Sequence, residues 1–246
     1  MHCLYLEYRV GVFYRGKSKK INRETQSFSI QEAASMSSVL YYVGDPMCSW
    51  CWGFRPGLQA AAEALPEEVP LVYVMGGLAR DSDEPMPEET RDYVRRNWHE
   101  VTEETGATFN WDFWEVCEPR RSTYPACRAV LSAAAQRKDA GPEMFHAIQR
   151  AYYQEARNPS DLETLVGLSG ELSPPLEVDR FERDIVSPEI DVQLHEDFGL
   201  RRSLGVRQFP SLVLKQGEEQ VWIVKGYAKV EETVERLRDA LGTRVA

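Results

Sequence analysis

The sequence predicts an α/β fold in which one sheet-bearing domain is split by a large all-helical insertion. Three observations carry that reading. They are a strand–helix–strand run over residues 39–75, a helical stretch over 81–190 with no convincing strand, and a strand–turn–strand–helix run over 210–241. A chain of 246 residues is long enough to bury the core such a domain needs. The division that follows has a poorly ordered extension at 1–37, a first domain part at 38–80, the insertion at 81–190 and a second part at 191–246.

Each element has its own signal. Residues 1–37 alternate weakly like a strand from Leu4 to Tyr14, then turn polar without a core-forming pattern. Val39-Leu40-Tyr41-Tyr42-Val43 is apolar and β-rich, which suits a strand buried on both faces. Gly44-Asp45-Pro46 ends it, and one helix is predicted from near Cys48 through the alanine-rich Leu58–Leu65, stopped by Pro66. Leu71–Met75 is a second strand, closed by Gly76-Gly77. Two strands so connected should run parallel with a right-handed crossover. Glu88–Thr105, Tyr124–Lys138, Pro142–Ala156 and Leu162–Ser169 show helical periodicity with charged outer faces. Strand character returns at Pro210–Leu214 and Gln220–Val224, with Gln216-Gly217-Glu218 as a hairpin-type turn between them. Val230–Leu241 is a last amphipathic helix, ended by Gly242.

A formal net charge of -10 argues against nucleic acid as a partner, since that needs a basic face to neutralise phosphates. No apolar run approaches the ~20 residues that span a bilayer, and Glu7 and Arg9 interrupt any secretory signal, so no membrane partner is expected and the cytoplasm is the expected compartment. The five cysteines, at 3, 48, 51, 117 and 127, are an odd number. They do not read as a disulfide framework, and in a reducing compartment a close pair is more often catalytic or metal-binding.

That pair is Cys48-Ser49-Trp50-Cys51. At the first turn of a helix, free backbone N–H groups and the positive dipole end stabilise a thiolate. A cysteine pKa near 8.5 can fall to roughly 3.5–7.5 in such a place. The first sulfur, exposed, then attacks a disulfide, and the second, buried, resolves the mixed disulfide. Half a zinc site is the competing reading. Zinc wants four ligands, however, and no second C-x-x-C or H-x₃₋₅-H pair exists, so no metal is expected.

Asp45-Pro46-Met47-Cys48-Ser49-Trp50-Cys51-Trp52-Gly53-Phe54 resembles the opening of cytosolic DsbA-like proteins, in the branch of predicted protein-disulfide isomerases, and is similar to the FrnE-like group. Pro56 matches the helix-kinking proline of the thioredoxin fold, and Gly205–Leu212 resembles the family's cis-proline loop. Softer likeness runs through Ser122–Ala129 and Ala151–Arg157, so the resemblance spans about Val39 to Leu241. It implies a thioredoxin-like fold with a helical insertion, Cys48 as nucleophile, Cys51 as resolver and Pro210 in the cis form. In that fold the Phe209 backbone meets an extended substrate chain, while Trp50 and Ser49 are candidate substrate contacts. The implied enzyme is a protein disulfide oxidoreductase or isomerase acting on a thiol- or disulfide-containing protein or small-molecule client. It carries no bound cofactor beyond the redox-active pair, with glutathione a candidate co-substrate.

The sequence departs from that family in two places. Periplasmic DsbA proteins place a histidine between the cysteines, whereas Ser49 and Trp50 bring no positive charge, which implies a more reducing pair. Tyr42 stands about where relatives bury an acid on the first strand, leaving that proton-moving role vacant. Cys117 and Cys127 are candidate secondary thiols, and buried core residues are the preferred reading of them. Two competing functions remain on this scaffold: a protein-binding adaptor, and a glutathione-dependent transferase or isomerase, against which Cys51 counts. The sequence does not fix the oligomeric state.

Overall fold

The computed structural model describes residues 38–242, so the expected N-terminal extension lies outside the described residues. In chain order the elements are β1 (Val39–Gly44), α1 (Ser49–Gly53), α2 (Arg55–Ala64), β2 (Leu71–Met75), α3 (Glu88–Thr105), α4 (Phe113–Val116), α5 (Tyr124–Gln136), α6 (Ala140–Tyr153), α7 (Leu162–Glu171), α8 (Val178–Asp184), α9 (Pro188–Ser203), β3 (Ser211–Gln216), β4 (Glu219–Lys225) and α10 (Val230–Ala240).

The four strands form one sheet in the order β2-β1-β3-β4. β1 and β2 run parallel, with Leu40 opposite Leu71 and Gly44 opposite Met75. β3 is antiparallel to both β1 and β4, and Gly217 turns the hairpin at a φ of 57°. Both faces are covered, which is why β1 and β2 read as unbroken apolar runs rather than as alternations. Leu40, Tyr42, Met75, Leu212 and Leu214 face the main core, together with Phe54, Leu58 and Phe145. Val39, Val43, Val72, Val74 and Val213 face a smaller core with Leu204 and Val206.

The helix predicted over 48–65 is broken. Pro56 has no N–H to give to the Trp52 carbonyl, and its ring crowds that carbonyl, so α1 ends and α2 begins around Phe54. Three short or narrow helices lack a clear sequence signal. α9 is the informative case. Its buried residues Ile190, Leu194 and Phe198 recur every fourth position with charges between them, too thin a stripe for a periodicity reading. Its cap was the available signal: the Ser187 hydroxyl accepts from Ile190 N–H at 3.2 Å, and Pro188 follows at the first turn.

The helical stretch is held to the sheet by aromatic rings. Trp98 of α3 is fully buried, with Phe109 at 4.8 Å, Trp114 at 5.0 Å and Tyr153 at 5.5 Å between ring centroids. Tyr153 in turn stacks on Trp52 of α1 at 5.6 Å. The insertion thereby fixes the position of the residues next to the cysteine pair. Among the described residues no helix is long and apolar enough to cross a membrane.

Candidate active site

The turn between β1 and α1 is pinned from inside. Asp45 is fully buried, and its carboxylate accepts from Met47 N–H at 2.8 Å, Leu78 N–H at 2.7 Å and the Thr123 hydroxyl at 2.7 Å, with the Cys127 thiol at 3.6 Å. One side chain thus ties the turn to the segment after β2 and to the start of α5. Burial pushes its pKa up, while these hydrogen bonds pull it back down.

Cys48 caps α1 in an extended conformation, its N–H donating to Asp45 O at 3.0 Å and its carbonyl accepting from Trp52 N–H at 3.0 Å. Its thiol points at Phe209 O, 3.8 Å away, and the Phe209–Pro210 peptide is cis. The sulfur is more recessed than the exposed nucleophile the sequence suggests, since Cys48 is only 6% exposed. It lies in a cleft of about 630 Å³ lined also by Ser49, Trp50 and Phe209. Cys48 is the N-cap of a helix of only five residues and makes no side-chain cap hydrogen bond, so the helix dipole behind it is short.

Cys51 is 1% exposed. Burial drives its thiol pKa well up and the neighbouring Cys48 raises it further, while Asp45 N–H and the Tyr42 hydroxyl draw it down. The Tyr42 hydroxyl makes no hydrogen bond of normal geometry, so its buried contact with the Cys51 sulfur is a loose one.

The remaining candidates fall as follows. Trp50 is half-buried against Tyr227 at 5.5 Å, while Ser49 is buried at the cleft wall. Trp52 and Phe54 point inward. Cys127 sits behind the turn between β1 and α1, on Asp45, whereas Cys117 donates to Ala156 O at 3.1 Å, and the described cysteines are all free thiols. Among the described residues no group of three or more His, Cys, Asp or Glu is arranged to hold a metal. The sequence reading missed Asp45, seen only as a turn residue, and missed Arg121, Arg207 and Lys225 on the cleft wall. Those three come from separate segments, so no local pattern announces them.

The thioredoxin family model matches residues 41–235. A candidate protein disulfide isomerase from Nitrosomonas europaea is 29% identical, with a TM-score of 0.71 over 85% of this chain and 100% of that one. The cytosolic disulfide reductase DsbM from Pseudomonas aeruginosa, also solved with GSH, is 25% identical at a TM-score of 0.70, covering 84% and 100%. The ClpXP adapter protein SpxH of Bacillus subtilis is 22% identical over 207 residues, 82% of this chain and 67% of its own length. The chain belongs to the thioredoxin family, and its fold is the DsbA-like form of it, with helices inserted between the second and third strands.

Proposed function

We propose that this protein is a cytoplasmic thiol–disulfide oxidoreductase working through Cys48 and Cys51, in the direction of client reduction. One observation carries the reading: the Cys48 sulfur lies at the head of α1, in an open cleft, against the Phe209 carbonyl at 3.8 Å. Likeness to a cytosolic disulfide reductase supports both the direction and the compartment.

The Cys48 thiolate attacks one sulfur of a client disulfide. The client S–S bond breaks, and its other sulfur leaves as a thiolate that takes a proton from solvent. Cys51, once deprotonated, attacks the Cys48 sulfur of the mixed disulfide. This frees the second client thiol and leaves a Cys48–Cys51 disulfide. The client has gained two electrons and two protons. Two molecules of a small thiol, glutathione in this proposal, restore the dithiol and become a disulfide themselves.

Insulin reduction with glutathione as recycling thiol tests this. Cys48→Ser should abolish the protein-dependent rate, and an unchanged rate would refute the assignment. A second reading, a protein-binding adaptor, is favoured by the likeness to SpxH. It predicts a partner pulled down equally well by the protein lacking both Cys48 and Cys51.

A further inference from the structure

The chain carries 39 Asp and Glu against 29 Lys and Arg, so most of its surface should be acidic. The ground around Phe209 is the reverse. The cleft over Cys48 has Arg121, Arg207 and Lys225 in its walls and no carboxylate. Across Phe209 lies a second cavity of about 970 Å³, to which α9 adds Arg201 and Arg202, again with no carboxylate. Arg207, Gln208, Phe209 and Lys225 border both, so the two cavities form one trough over the loop that faces Cys48.

Elsewhere six arginines are neutralised by carboxylates, as Arg128 is by Asp81 at 2.6 Å and Arg157 by Glu171 at 2.9 Å, while others such as Arg91 and Arg95 stand outside any ion pair with a described residue. None of the five trough cations forms an ion pair with a described residue. Arg201 instead donates to Gly76 O and lies over the Phe209 ring at 5.7 Å. Cations gathered in a cleft with low-dielectric walls focus their field and raise the local concentration of anions.

Resting on the disulfide-exchange reading above, we propose that the trough selects polypeptide clients whose reacting cysteine is flanked by Asp and Glu. Each cavity alone is of the size that holds a small molecule, about 300–1,000 Å³, so the two in series exceed what a tripeptide fills. The Phe209 backbone between them offers an extended chain a place to lie. The reaction is the exchange already written, with two electrons passing from the Cys48–Cys51 dithiol to the client disulfide.

The test uses the full chain, glutathione as recycling thiol, and three disulfide-bonded peptides identical except for flanking residues: acidic, neutral amide or lysine. At low ionic strength kcat/KM should rank acidic over neutral over lysine, with about tenfold or more between the first two. High salt should compress the series. In the Arg202→Glu/Lys225→Glu protein, the order of acidic and lysine peptides should invert. Equal rates for all three peptides overturn the inference while leaving the exchange reading intact. So does faster turnover of oxidised glutathione than of the acidic peptide, which would assign the trough to a small anionic disulfide. Failure to reduce even the neutral peptide overturns the exchange reading itself.

Discussion

At Cys51 opposing influences meet. Burial and the adjacent Cys48 hold its proton on, while the Tyr42 hydroxyl is one of two groups that loosen it. Tyr42→Phe should therefore raise the Cys51 pKa further and slow the resolving step, lengthening the life of the mixed disulfide in stopped-flow or acid-quench measurements. Folding stability should hold within about 1 kcal/mol, because the only partner the hydroxyl gives up is the loose contact with the Cys51 sulfur. An unchanged mixed-disulfide lifetime would contradict this role. The motif and its spacing announce Cys48 and Cys51 directly. The second role of Asp45 is invisible in sequence, since its partners Leu78 and Thr123 lie 33 and 78 positions away.

Among the elements, the segment leaving β2 is the most tightly constrained. Gly77 has a φ of 64°, and a Cβ there would lie 2.3 Å from the Phe198 ring of α9. Gly77→Ala should cost about 1–3 kcal/mol from the backbone conformation alone, with the ring clash added. It should also weaken client reduction, because Leu78 next door holds Asp45 and lines the cleft. Urea unfolding and insulin reduction on the same sample check both effects. In α3, Trp98→Ala should destabilise by about 3–5 kcal/mol, the usual cost of emptying a buried aromatic site. The strands, the hairpin and the long helices were legible because burial on two faces or on one wide stripe leaves a strong pattern. α9 was not, with one thin stripe, and the break at Phe54, where a single missing N–H outweighs good helix formers on both sides, was legible only through the likeness of Pro56 to a helix-kinking proline.

At the scale of the whole molecule, two buried groups set opposite pH slopes. His146 of α6 has its pKa lowered to about 4, mainly by burial and further by Arg55 and Arg150. Its contribution to stability is complete above the ordinary value near 6.5 and is lost as pH falls toward 4. Asp197 of α9 accepts from Met75 N–H at 2.7 Å, and burial, with Glu196 adding to it, raises its pKa to about 7. Its contribution is complete below the ordinary 3.8 and is lost as pH rises through 7. Between these values the two largely cancel. Asp197→Asn should therefore leave a stability that climbs from pH 4 to 6.5, and His146→Gln one that falls from pH 4 to 7, by up to about 3 kcal/mol each. Denaturant midpoints across that range decide it, and profiles parallel to the unaltered protein would contradict both. The order of elements, strand–helix–strand, helices, then hairpin and helix, could be read from the chain. The basic trough could not, because its cations converge from α9, the loops before α5 and β3, and the end of β4.

The central claim is that a recessed Cys48, rather than a more accessible thiol, performs the exchange. Mass spectrometry of the Cys51→Ser protein after reaction with a disulfide-bonded peptide tests it most directly. The account predicts one stable peptide adduct, on Cys48. An adduct on the half-exposed Cys117 instead, with Cys48 unmodified, would contradict it.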